Sequence, residues 1–109
     1  MNVKELAKAC GFSVLTLPCP DREVNGVYIG DLLSWVMGRA SEDNAWITIM
    51  SNTNVIAVAT LADVSCVILA EGVTLDGDIL TTAESKGINV LGSGTSAYET
   101  ARALFSLGL

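Results

Sequence analysis

The sequence predicts a single α/β domain, built as a mostly parallel sheet of four to five strands with helices packed on its faces. Three observations carry this. The second half of the chain alternates β-α-β-α-β-α with short connections. Each helical run there opens on a capping residue, and parallel strands joined by short capped helices demand right-handed crossovers. The Val64–Leu69 run is apolar but for Ser65, as in a strand covered by helices on both faces. A length of 109 residues suits one domain, and no repeat, linker or low-complexity tract divides residues 1–109.

Asn2 to Ala9 reads as the first helix. Asn2 with Glu5 three residues on forms a capping-box pattern, Val3, Leu6, Ala7 and Cys10 share a face, and Gly11 stops it. Ser13–Leu17 is a short strand, ended by the loop Pro18-Cys19-Pro20-Asp21. Val24–Ile29 is the next, with Gly26 marking a bulge or a close backbone approach. These first strands are free to pair in another sense from the rest.

Asp31 caps a short helix through Met37, and Gly38 ends it. Leu32, Leu33, Trp35, Val36 and Met37 leave that helix little polar face. A helix apolar nearly all round is buried on more than one side, which in a small domain points to a homodimer contact. Trp35 would anchor it, unless Trp35 and Trp46 are both ordinary core.

Ser41–Asn44 is a turn and Ala45–Met50 a strand of β-branched and aromatic bulk. Ser51-Asn52-Thr53-Asn54 then caps a helix over Val55–Leu61. After the Val64–Leu69 strand, Asp76-Gly77-Asp78 opens a helix over Ile79–Lys86, stopped by Gly87. Ile88–Leu91 is the last strand. Ser96-Ala97-Tyr98-Glu99 is a second capping box, and its helix runs to about Leu107.

Composition removes whole function classes. Twelve acids against six bases give a charge of −6, which opposes nucleic-acid binding. The absence of histidine removes His-based triads and His metal sites. Cys10, Cys19 and Cys66 form no C-x-x-C pair, so they read as free thiols. The acids fit no EF-hand spacing, so no metal and no cofactor is expected. No signal peptide or bilayer-length apolar run is present, which places the protein in the cytoplasm and off the membrane.

Ligands of parallel α/β sheets bind beyond the carboxyl ends of the strands. Four polar loops belong there: Gly30-Asp31, Ser51–Asn54, Glu71-Gly72 and Gly92-Ser93-Gly94-Thr95-Ser96. The last is the best anion candidate, because small residues admit a ligand to the backbone and a helix N-terminus follows. It also reads as a strand-to-helix turn with a serine cap, since capping alone explains Ser96 and Glu99, and it is no P-loop, lacking Gly-Lys-Ser/Thr. Ser51, Asn52, Thr53 and Asn54 either read a polar ligand or only cap a helix. Glu71 is either a ligand acceptor or a solvated acid.

The runs Val27–Met37, Trp46–Asn52, Asn54–Ala59, Val67–Gly72, Gly87–Leu91 and Tyr98–Ala101 resemble the stand-alone members of the DRTGG-domain family. That family is similar to the N-terminal domain of HPr kinase/phosphorylase, whose fold is similar to the nucleotide-binding first domain of the Mur ligases. Related domains occur beside CBS modules and in phosphotransacetylases. The resemblance implies an accessory or regulatory module that self-associates, without kinase activity. Ala70-Glu71-Gly72 stands where the family has Thr-Gly-Gly, and Ser51–Asn54 where it has Asp-Arg, so a basic contact is missing.

The resulting expectation is a non-catalytic, dimeric, regulatory or ligand-sensing module that binds a small metabolite or nucleotide-like ligand at the strand-end loops. One rival is a subunit docking on a larger enzyme or regulatory complex. The other is a carboxylate enzyme, which without histidine needs an acid of raised pKa.

Overall fold

A computed structural model describes residues 1–109. Five strands form one sheet in the order β1-β5-β4-β3-β2. These are β1 (Ser13–Thr16), β2 (Gly26–Ile29), β3 (Asn44–Thr48), β4 (Cys66–Leu69) and β5 (Val90–Gly92). β2 to β5 are mutually parallel, and β1 lies antiparallel on β5. The helices are α1 (Val3–Cys10), α2 (Leu33–Arg39), α3 (Asn54–Ala62), α4 (Gly77–Ser85) and α5 (Ala97–Phe105).

The three crossovers all step the same way, so right-handedness puts α2, α3 and α4 on one face. Strand alternation then divides the core into two. Trp46, Val67, Leu69 and Val90 pack under α2–α4. Ala45, Ile47, Cys66, Ile68 and Leu91 pack under α1 and α5. All four residues of β4 are buried, as its unbroken apolar run requires.

Local signals were realised to different degrees. At α1 the full capping box forms, with Glu5 N–H donating to Asn2 Oδ1 (2.8 Å) and Asn2 N–H to Glu5 Oε1 (2.9 Å). Gly11 takes the left-handed conformation that ends the helix (φ 68°). At α5 only half the box forms. Ser96 Oγ accepts from Glu99 N–H (3.1 Å), but Glu99 turns its carboxylate to Arg102 (3.0 Å) instead of back to the cap.

Four expectations are corrected. Asp31 does not cap α2; Leu32 stands at that position, because the Asp31 carboxylate accepts from Thr48 Oγ1 (2.8 Å) and Ile49 N–H (3.0 Å). That second bond draws Ile49 out of the ladder, so β3 ends at Thr48 and not at Met50. Gly38 lies inside α2, which runs on to Arg39. Gly26 makes no bulge: its register with β3 is unbroken, and a Cβ there would meet Asn44 Nδ2 at 3.0 Å, so a side chain is what approaches. The register irregularity lies in β1, between Val14 and Thr16.

Among the residues expected at a dimer contact, Val36 is fully buried in its own core and Leu33 packs against it. Neither is presented outward. Leu32, Trp35 and Met37 are about half exposed, and the Arg39 guanidinium lies 3.7 Å over the Trp35 ring.

Candidate functional site

At the carboxyl end of the sheet, β4 and β5 lead to helices on opposite faces, α4 and α5. This is a switch point of the sheet; the two loops meet along one seam, and a cleft opens beside it against β1. Backbone bonds hold its edges. Glu71 N–H donates to Thr95 C=O (2.7 Å), Gly72 N–H to Ser93 C=O (2.9 Å) and Ser93 N–H to Leu69 C=O (2.7 Å). This stitching requires two successive left-handed residues, Glu71 (φ 60°) and Gly72 (φ 72°). Gly72 meets that need without strain, and Glu71 carries it as a non-glycine residue.

The cleft holds a cavity of about 170 Å³. Gly72, Val73 and Thr74 form one wall, and Gly92, Ser93 and Gly94 another. Ser13 and Leu15 of the antiparallel β1 close the third side. A Cβ on Gly92 would stand 3.7 Å from Leu15 Cδ1 and from Ser13 Cβ, so its absence leaves open space there.

Behind the cavity three hydroxyls bond one another. Ser93 Oγ lies 2.8 Å from Thr100 Oγ1 and 3.0 Å from Thr95 Oγ1, and Thr100 Oγ1 donates to Ser96 C=O (2.8 Å). They fix the turn between β5 and α5, and their bonding is internal. The backbone N–H groups of Gly94, Ser96, Ala97 and Tyr98 find no acceptor within the chain. The loop thus offers donors at its backbone while its serine and threonine side chains hold its shape.

The sequence candidates divide accordingly. Gly72, Gly92, Ser93 and Gly94 line the cavity, with Thr95 and Ser96 next to them. Glu71 gives its backbone to the stitching and leaves its side chain exposed. Ser51, Asn52, Thr53 and Asn54 do not join them. Asn52 Oδ1 accepts from Asn54 N–H (2.9 Å) and turns the chain into α3. Thr53 instead borders a separate groove of about 300 Å³ between α3 and α4. Sequence reasoning missed Ser13, Leu15, Val73 and Thr74. Thr74 had a usable signal, a polar residue between β4 and the Asp76 cap; Ser13 and Leu15 had none locally.

Three further clusters are structural. Asn89 is fully buried; its Nδ2 donates to Cys19 C=O (2.8 Å) and Ser65 C=O (2.9 Å), and its Oδ1 accepts from Cys19 N–H (2.9 Å). Arg22 pairs with Asp43 (2.9 Å) and Asp63 (2.8 Å) at the amino end of the sheet. Burial pushes the Cys66 thiol up to about 12, against smaller opposite effects of a Ser65 hydrogen bond and the Arg22 charge. Cys10 and Cys19 are partly buried, and all three cysteines are free. No three His, Cys, Asp or Glu side chains come together as a metal-binding group. No helix is long and apolar enough to cross a membrane.

No curated protein matches the sequence. Among solved structures the chain is similar to the CBS and DRTGG domains of the regulatory region of Clostridium perfringens pyrophosphatase, complexed with its activator diadenosine tetraphosphate. The TM-score is 0.74 at 15% identity, over 94% of this chain and 45% of that one. The chain therefore spans less than half the length of that neighbour, and the likeness concerns the fold. The DRTGG domain model matches residues 5–107. With nearly the whole chain so matched, and the sheet and loops disposed as described, the protein belongs to the DRTGG domain family.

Proposed function

We propose that this chain is a non-catalytic regulatory module that senses a small metabolite or nucleotide-like ligand in the strand-end cavity. The observation that carries the reading is that cavity, walled by Gly72, Gly92 and Gly94 with unengaged backbone donors beside it. The similar pyrophosphatase region is itself regulatory and holds a nucleotide activator. The finer kinship with the N-terminal domain of HPr kinase/phosphorylase is part of the same proposal, supported by the Val27–Met37 motif run. Action in the reducing cytoplasm is supported by the three free thiols.

Thermal shift against nucleosides, nucleotides and small polar metabolites tests it. A ligand bound by the native state alone, at about 100-fold excess over its Kd, adds about 2.7 kcal/mol and raises Tm by roughly 10–20 °C. Gly94→Ala should reduce that shift. Its Cβ would meet nothing within 4 Å, so the free protein should keep its stability to within about 0.5 kcal/mol. No shift with any compound would favour the alternative, a subunit that docks on a larger enzyme complex.

The module also pairs as a homodimer through the outer side of α2. Leu32, Trp35 and Met37 are exposed there at 58%, 52% and 48%, with Ile29 and Ile49 at the adjoining strand ends. Sedimentation should give twice the 11.4 kDa chain mass, and Leu32→Glu with Met37→Glu should give the single chain mass, still folded, with a lower Tm that no longer depends on protein concentration. A wild-type monomer at every concentration contradicts this.

A further inference from the structure

We propose that the strand-end cavity takes an uncharged, hydrogen-bonding small molecule of nucleoside type and discriminates against its phosphorylated forms. The inference rests on the reading of that cavity as a ligand site and adds the ligand's charge.

The fold sorts the six bases away from the cavity. Leu15 and Val73 of the cavity pack with the α2–α4 layer, whereas Lys4, Lys8 and Arg102 belong to α1 and α5 on the opposite face. Arg102 is further tied to Glu99 (3.0 Å). Arg22 is held by Asp43 and Asp63 at the other end of the sheet. Arg39 ends α2 and is stacked on Trp35. Lys86 closes α4 at the end remote from the cavity.

The charges that do stand near the cavity are acids. Glu71 adjoins Gly72, while Asp76 and Asp78 open α4 just after Thr74. All three are exposed, and none is in an ion pair. A phosphate placed here meets uncompensated carboxylates and no cation, and such like-charge juxtaposition disfavours binding. The unengaged Gly94 N–H stands in the cavity wall, and a hydroxyl, carbonyl or ring nitrogen accepts from it without the repulsion. Size points the same way: about 170 Å³ lies below the usual range of drug-sized ligand pockets and is too small to enclose a dinucleotide.

Calorimetric titration of the intact chain with adenosine, adenosine monophosphate and diadenosine tetraphosphate tests this, with amide shifts of Gly72 and Gly92–Gly94 to locate binding. Adenosine should bind at the cavity, and both phosphorylated probes at least about tenfold more weakly. Added salt should narrow that gap, since it screens exposed charges. The exposed double variant Asp76→Asn, Asp78→Asn should narrow it as well. Equal or tighter binding of a phosphorylated probe overturns the inference and leaves the cavity standing as a ligand site. Binding of none of the three there overturns the inference too, whereas the reading of the cavity as a ligand site falls only if the wider thermal-shift screen also finds nothing.

Discussion

Replacing Asn89 by leucine should cost the domain about 3 kcal/mol or more, roughly a fifth to a half or more of a typical total of about 5–15 kcal/mol. Leucine has similar bulk, so the loss is not one of packing. It orphans three buried or part-buried backbone groups at once: Cys19 N–H, Cys19 C=O and Ser65 C=O. An unsatisfied buried group costs about 1–3 kcal/mol each. Asn89→Asp should be no milder, because a carboxylate keeps the bond from Cys19 N–H but faces two carbonyl oxygens without a donor. Urea unfolding followed by tryptophan fluorescence reads the effect as a fall in midpoint of about 1.5 M or more. A midpoint within about 0.3 M of wild type would mean that the Pro18–Pro20 loop does not depend on this side chain.

Alkaline pH should destabilise the protein through Cys66. The thiol ionises near 9.0 when unperturbed and is pushed up to about 12 by complete burial in the fold. Below 9.0 both folded and unfolded states hold the proton, and the stability is fully present. Between 9.0 and about 12 the unfolded chain loses a proton that the folded chain keeps, so stability falls as pH rises. The slope is about 1.4 kcal/mol per pH unit, or about 4 kcal/mol across the window. The comparison that isolates this thiol is with Cys66→Ala. That variant should start about 1 kcal/mol less stable and show a shallower alkaline fall. Parallel pH profiles for the two proteins would contradict the assignment.

What the sequence made legible follows the range of the interactions. The box of Asn2 and Glu5 closes within one helical turn, so its pattern is complete in four residues. Strand β4 was evident because both its faces are covered and every residue is apolar. The start of α2 was misread because the groups that claim the Asp31 carboxylate lie at the end of the next strand, at Thr48, and just beyond it, at Ile49. Periodicity also could not say which side of α2 meets the core; the structure gives Val36 to it and leaves Trp35 outside.

The site divides in the same way. Gly92, Ser93 and Gly94 were visible as small residues after an apolar run. Ser13 and Leu15 reach the cavity only because β1 folds back antiparallel on β5, pairing Ser13 with Gly92 across the length of the chain. Asn89 looked like one more strand residue, and its role depends on the distant Cys19.

The central claim is that the strand-end cavity is the ligand site. Amide chemical-shift mapping with the compound that gives the largest thermal stabilisation tests it most directly. The account predicts saturable shifts at Ser13, Gly72, Thr74 and Gly92–Ser96, lost together in Gly94→Ala. Shifts confined to the α3–α4 groove around Ala57, Leu61 and Lys86, with the glycine loops unmoved, would contradict it.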